Sequence, residues 1–247
     1  EFKIYGLGLN EAAVQLMSSK VIGIPKDYVK YFGISFETTS PSYYPLECCL
    51  VNQLAFITGE DILFKSTLNS DDNFKIKFSE LTSQKAFMAI QNALDNILFA
   101  EEDIIKLNNK IALIDDRNKK VDDMVKKIDD LKEKIKVTFL RTQNLIISSY
   151  FDKAFININN LEELENYRKK LYDIKSYLGF AEGYTFFNDY YVEKMSQLEH
   201  KYNILENGGI ETALNAKPKN ESKIIKLFKA IKRILLGRSA ETENNHI

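Results

Sequence analysis

The scarcity of glycine and proline in the middle of the chain limits its possible folds more than any other feature. No glycine lies between Gly59 and Gly179, and no proline lies between Pro45 and Pro218. Tight turns draw on both residues, because glycine adopts positive φ and proline presets turn geometry. A long stretch without them favours long helices, so the sequence predicts a mainly all-α protein.

A heptad repeat of apolar residues begins near residue 82. Position a falls at Ile90, Ile97, Ile104, Ile111, Asn118, Val125, Lys132 and Phe139, and position d at Ala93, Ala100, Leu107, Ile114, Val121, Ile128 and Ile135. This spacing is typical of a coiled coil. It predicts one continuous helix over residues 82–156, about 110 Å long at about 1.5 Å per residue. Asn118 is the candidate for fixing the coiled-coil register, with a local kink as its alternative.

A second helical arm is expected to follow a short turn at residues 157–160. Asn160 and Glu163 have the spacing of a helix N-cap in which the later acid reaches back. An apolar stripe with steps of three and four residues continues from Leu164 toward Leu205. Because a short connection favours antiparallel neighbours, the sequence predicts a long antiparallel coiled-coil hairpin.

Residues 1–80 hold many of the turn-forming residues and predict a compact, mostly helical head. Three helices are expected there: residues 10–20 with Asn10 as N-cap, residues 25–32 stopped by Gly33, and the stretch between Pro45 and Gly59. The stretches "FKIYGL" and "NFKIKFSEL" alternate apolar and polar residues. They are therefore candidates for a short β-hairpin.

Aspartate pairs recur every seven residues, at Asp115-Asp116, Asp122-Asp123 and Asp129-Asp130, and raise the alternative of a metal cluster. In the heptad register they occupy positions e and f. The first two pairs lie four residues before lysine pairs, the orientation that favours ion pairs on a helix surface. Adjacent helical side chains point about 100° apart, so one pair chelates a single ion poorly. We therefore expect a solvated helix face and no metal site.

Signals for catalysis are weak in this sequence. Its two cysteines, Cys48 and Cys49, are adjacent and lack the C-x-x-C spacing of metal and redox sites. Its two histidines, His200 and His246, are far apart, and no P-loop, G-x-S-x-G or H-E-x-x-H motif occurs. We therefore expect no enzyme, no catalytic residue and no cofactor. A site assembled from scattered acids is the open alternative.

The stretch "SKIIKLFKAIKRILLGR" has the clearest functional pattern. On a helical wheel its apolar and basic residues separate, and no acid occurs over residues 223–240. The candidate membrane- or partner-binding residues are Lys223, Ile224, Lys226, Leu227, Phe228, Lys229, Ile231, Lys232, Arg233 and Leu235. A cationic amphipathic helix can lie on an anionic membrane or dock in a partner's groove. Packing as a third bundle helix is the remaining alternative.

These features divide the chain into five parts: a head at 1–80, a helical hairpin at 81–206, a linker at 207–222, a basic amphipathic helix at 223–237 and a polar tail at 238–247. The leading hypothesis is a non-enzymatic, cytoplasmic scaffold that binds a protein partner or a second copy through the coiled coil. Its last helix would bring it to a membrane surface, as a peripheral protein, or to a partner. The chain begins with Glu1 rather than Met, so removal of a leader peptide is kept as an alternative.

Two other functions stay open as alternatives to the scaffold. A pore-forming type of protein would use long helices poor in glycine to insert into a membrane. A nucleic-acid-binding module would use the two short helices of the head as a helix-turn-helix. The second of these helices carries only Lys26 and Lys30 against Asp27, so nucleic acid is not the expected partner.

Overall fold

The structure, a computed structural model, describes residues 6–114 and 119–206. Within these ranges the chain forms eight α-helices, one 3-10 helix and three strands: α1 (Leu7–Ile22), β1 (Asp27–Tyr31), β2 (Ile34–Thr38), α2 (Pro45–Thr58), α3 (Glu60–Asn69), α4 (Asn73–Leu81), α5 (Gln84–Ala112), α6 (Lys119–Ile156), α7 (Leu161–Asp173), the 3-10 helix (Ile174–Tyr177), β3 (Phe180–Ala181) and α8 (Phe186–Glu206). The fold is mainly all-α, as the scarcity of glycine and proline predicts.

Helix α2 lies at the centre of the body. Its sequence, PLECCLVNQLAFIT, is apolar on nearly every side, which is the pattern of a helix enclosed by others. It contacts α1, α3, α4, α5, α6 and the 3-10 helix. Leu46, Leu50 and Leu54 have no exposed surface. The predicted helix between Pro45 and Gly59 is confirmed.

Residues 25–32 contain a strand, so the short helix predicted there is wrong. Strands β1 and β2 pair antiparallel with Tyr31 opposite Ile34, and the loop residues Phe32 and Gly33 have φ of 48° and 78°. Positive φ at both loop positions gives a two-residue turn whose twist matches the strands it joins. The positive φ of Gly33 therefore serves a hairpin rather than a helix stop, and the helix-turn-helix interpretation loses its second helix.

Two further predictions for the head are wrong. Helix α1 begins at Leu7, so Asn10 is an exposed residue inside the helix rather than its N-cap. The stretch "NFKIKFSEL" forms α4, in which Phe74 and Phe78 are buried while Ile76 is 53% exposed. A strand would place all three on one face, whereas burial four residues apart follows the helical period. The other candidate strand, "FKIYGL", falls mostly outside the described residues.

The predicted continuous helix over residues 82–156 is also wrong. Helix α5 ends at Ala112, α6 begins at Lys119, and the two helices pack against each other. Lys153, near the end of α6, donates a hydrogen bond to the carbonyl oxygen of Thr82, just before α5, at 2.9 Å. The two helices are therefore antiparallel. A single chain buries its apolar seam by folding it back on itself, which a solitary rod cannot do.

The predicted turn at residues 157–160 is confirmed together with its cap. Asn160 Oδ1 accepts a hydrogen bond from Glu163 N at 2.8 Å, and Glu163 Oε2 accepts one from Asn159 N at 2.7 Å. The following helix, α7, ends at Asp173, and the 3-10 helix and β3 separate it from α8. The helix that follows this turn is therefore shorter than predicted. The helical hairpin is formed by α5 and α6.

Gly179 follows the 3-10 helix at a point where the backbone passes close to α6. A Cβ atom on this residue would lie 2.6 Å from the ring of Phe139 in α6, so only glycine fits there. Gln143 pairs with its backbone, accepting from Gly179 N at 2.8 Å and donating to Gly179 O at 2.9 Å. These bonds replace helical ones, and β3 pairs with β2 through Ser35 opposite Phe180.

Candidate functional site

Two buried carboxyl groups lie on α2 and α5, the most unusual polar feature of the described residues. Glu47, in the first turn of α2, has no exposed surface, and Glu101 on α5 is 8% exposed. Both side-chain oxygens of Glu47 and the Oε1 of Glu101 have no hydrogen-bond partner in the described part of the chain. An ionised carboxylate in such a position is costly unless a cation or several donors compensate its charge.

Burial raises the pKa of both carboxyl groups. Loss of hydration is the main cause for each, and the charge of nearby Glu47 raises the pKa of Glu101 further. Tyr31 on β1 is close enough to both that their charges add to the effect of burial in raising its pKa. Because two neighbouring buried carboxylates repel each other, ionisation of one carboxyl disfavours ionisation of the other.

The adjacent cysteines, Cys48 and Cys49, are buried and unbridged on α2. Burial raises the pKa of both thiols, and the nearby Glu47 carboxyl raises that of Cys48 further. A thiol acts as a nucleophile or metal ligand through its thiolate, which these surroundings disfavour. Burial on α2 fits two residues that serve as small apolar side chains of a helix.

No group of three or more His, Cys, Asp or Glu side chains within residues 6–114 and 119–206 is arranged to hold a metal ion. The pairs Asp122-Asp123 and Asp129-Asp130 are exposed on α6, and Asp129 pairs with Lys132 at 3.1 Å. Asp115-Asp116 lies outside the described residues. Where the structure describes them, the aspartate pairs occupy a solvated helix face, as predicted.

A cleft of about 680 Å³ lies between α1, α3, α4 and α5. Its lining includes the apolar residues Leu9, Ala13, Leu63, Phe74 and Phe87. Two of its polar groups bond to each other, since Asp71 accepts from Ser66 Oγ at 2.8 Å, and Asp71 also accepts from Asn73 N at 3.0 Å. Neither the buried carboxyl pair nor the cysteines line it. The cleft is therefore separate from the buried carboxyl and thiol groups.

The α5–α6 hairpin extends into an arm, defined here as residues 104–112 and 119–135. Val121, Ile128 and Ile135 are buried at successive d positions, whereas Val125 at an a position is 38% exposed. Ile105 and Leu113, within and beside the arm, are also exposed. Burial at seven-residue intervals supports packing of the two helices along one seam. A coiled coil with both positions buried stays a prediction.

The predicted site residues fall outside the part of the chain that the structure describes. They are Asn118 for coiled-coil register and, for membrane or partner binding, Lys223, Ile224, Lys226, Leu227, Phe228, Lys229, Ile231, Lys232, Arg233 and Leu235. The sequence analysis missed the carboxyl pair. A single acid in the otherwise apolar stretch PLECCL was a usable signal for Glu47, whereas Glu101 shares its neighbourhood with exposed acids in the sequence.

Comparisons with protein-family models, curated proteins and solved structures find no match to this chain. Among the helices that the structure describes, none is both long and apolar enough to cross a membrane.

Proposed function

We propose that this chain is a non-enzymatic interaction protein whose basic segment, residues 223–236, attaches it to an anionic membrane surface. The observation that carries the proposal is the segregation of charge in this segment. Lys223, Lys226, Lys229 and Arg233 fall on one side of a helical wheel, and large aliphatic residues and Phe228 fall on the other. Each basic residue near an anionic surface contributes about 1 kcal/mol, and the apolar face adds burial among acyl chains.

The helical body supports this proposal because its own elements surround its central helix. Helix α2 is enclosed by contacts with α1, α3, α4, α5, α6 and the 3-10 helix. The basic segment is therefore not needed to cover α2, and it can bind a membrane surface instead. The non-enzymatic part rests on the cleft, which brings together neither the buried carboxyl pair nor the thiols.

Vesicle flotation tests the proposed attachment with the full chain and a matched pair of variants. Lys226→Ala with Lys229→Ala removes two charges from the basic face, and Lys217→Ala with Lys219→Ala removes two from the preceding stretch. At about 1 kcal/mol per charge, the first variant should bind phosphatidylserine vesicles about 30-fold more weakly. The second should lose clearly less. Equal losses, or no binding by the unaltered chain, would contradict the proposal.

Leakage of a trapped dye from the same vesicles separates surface attachment from insertion. A helix lying in the interface leaves the vesicle contents in place at low coverage, whereas a pore releases them. We expect flotation without dye release. Release at low coverage would favour the pore-forming alternative.

The arm favours a second interaction, with another protein chain. Its exposed Ile105 and Val125 lie among positively charged lysines and negatively charged aspartates. A surface that carries both signs of charge can pair with a second copy of the same arm. Sedimentation equilibrium of the full chain tests self-association. Ile105→Ser should weaken a dimer more than Lys106→Ser at the neighbouring exposed position. A monomeric native chain, or equal effects of the two substitutions, would exclude this role.

A further inference from the structure

We propose that Glu47 and Glu101 form a proton-binding site that couples the packing of α2 against α5 to pH. The ligand is the proton itself, and the site is independent of membrane attachment. The inference starts from the two side chains' position: they face the interior on two helices that are in contact, and three of their four oxygens lack a partner in the described residues. Such a pair costs much less free energy to bury when protonated than when fully ionised.

Within the described residues, no positively charged side chain is among the groups that shift the pKa of either carboxyl, and the backbone N–H of Glu47, which lowers the pKa of its own carboxyl, does not outweigh burial. Tyr31 from β1, and Tyr44 and Cys48 from the start of α2, are the titratable groups on which the pair acts. Glu11 from α1 and Glu102 from α5 act on Tyr44 and add further negative charge at this end of α2. No ionisable group on α3, α4 or α6 in the described ranges is among those that shift either carboxyl pKa.

Loss of protons from this site affects the centre of the fold. Each proton that leaves adds a negative charge to the buried region where α2 packs on α5, and the apolar core of these helices includes Leu46 and Ile104. The charge can be hydrated only if the two helices move apart or water enters between them. Helix α5 also forms one side of the arm and contacts α1. Deprotonation should therefore loosen the base of the arm as well as the core.

Infrared spectroscopy of the full chain measures the proposed protonation directly, because a protonated carboxyl has a carbonyl stretch distinct from that of a carboxylate. At neutral pH most exposed carboxyls are ionised. We expect a residual protonated band that disappears as the pH is raised to about 10. Glu47→Gln with Glu101→Gln should remove this band, and Glu102→Gln, at the partly exposed neighbouring position, should leave it. Absence of the band in the native chain would overturn the proposal.

Amide hydrogen exchange then tests the coupling to helix packing. Over the pH range in which opening of α2 releases one proton that the folded core retains, the equilibrium constant for opening should rise about tenfold for each pH unit. This rise comes in addition to the intrinsic rise in the amide exchange rate. The double glutamine variant should lack this extra rise. If that variant fails to fold, the native chain still decides, since a band that titrates without extra opening of α2 excludes the coupling.

Discussion

At the scale of single residues, Asp95 shows how a distant side chain determines where a helix begins. Its carboxylate accepts hydrogen bonds from the backbone nitrogens of Gly6 and Gly8 at 2.7 and 2.9 Å, at the start of α1. These donors have no partner within their own helix, and Asp95 is 5% exposed. We expect Asp95→Ala to lower the free energy of unfolding by about 1–3 kcal/mol, measured by urea denaturation.

Two substitutions separate this capping role from a general effect of removing an acid from α5. Asp95→Asn keeps one acceptor oxygen and should cost less than Asp95→Ala. Asp103→Ala removes an exposed acid that is 3.7 Å from Lys106, a pair expected to contribute under about 1 kcal/mol. Equal losses from Asp95→Ala and Asp103→Ala would show that Asp95 does not cap α1.

Asn10 gives a prediction in which the sequence pattern and the structure disagree in sign. If Asn10 were the N-cap inferred from the sequence, its replacement by alanine would lower the free energy of unfolding by about 1 kcal/mol. In the structure Asn10 is exposed in the interior of α1, where alanine is the better helix former by up to about 0.7 kcal/mol. We therefore expect Asn10→Ala to leave the melting temperature unchanged or to raise it. A clear fall would restore the capping interpretation.

Asn160 and Asn10 together show which residue roles can be predicted from sequence. The cap formed by Asn160 involves only residues 159–163, so a local pattern contains all of its partners. The start of α1 depends on Asp95, which is 87 and 89 residues away from the donors it binds. The buried carboxyl pair is hidden for the same reason, since Glu47 and Glu101 meet only through the packing of α2 on α5.

At the scale of elements, the arm predicts a contrast between neighbouring apolar residues of α6. Ile128 is 5% exposed and packs along the seam, whereas Val125 is 38% exposed. We expect Ile128→Ala to lower the free energy of unfolding by about 2–4 kcal/mol and to speed amide exchange over residues 119–135. Val125→Ala should cost under about 1 kcal/mol, because it removes little buried surface. Equal costs would mean that the arm packs in another register.

Errors at this scale arose where two periods fit the same short stretch. Phe74, Ile76 and Phe78 alternate like a strand, but the outer two are also four residues apart, and contacts with α2 and α5 favour the helix. In residues 27–31 the strand places Val29 and Tyr31 on its half-buried side, but Pro25 and Gly33 resembled the ends of a helix. A segment shorter than about ten residues contains too few periods to separate these alternatives.

The longest element was mispredicted for a different reason. A heptad seam specifies which face of a helix is apolar, but it does not specify the surface that covers that face. A second chain and the same chain folded back meet the requirement equally well. The break between Ala112 and Lys119 contains no glycine or proline, so the usual turn signals were absent. The mainly helical fold class did not depend on this choice and was predicted correctly.

At the scale of the whole molecule, the buried carboxyl pair predicts an unusual dependence of stability on pH. The folded state raises the pKa of both Glu47 and Glu101 above the ordinary glutamate value of 4.5, so it binds more protons than the unfolded state at higher pH. Their stabilising contribution is full below that value and is lost as the pH rises through the raised pKa values. Each proton lost changes the free energy of unfolding by about 1.4 kcal/mol per pH unit.

We therefore expect the stability of the native chain to fall between about pH 5 and about pH 9, measured as the urea midpoint at constant ionic strength. Most proteins lose stability on the acid side instead, because their paired carboxylates become protonated there. Glu47→Gln with Glu101→Gln should flatten the curve, since the amides carry no charge at any of these pH values. Glu102→Gln should retain the slope. A native midpoint that rises over this range would show that other groups outweigh the pair.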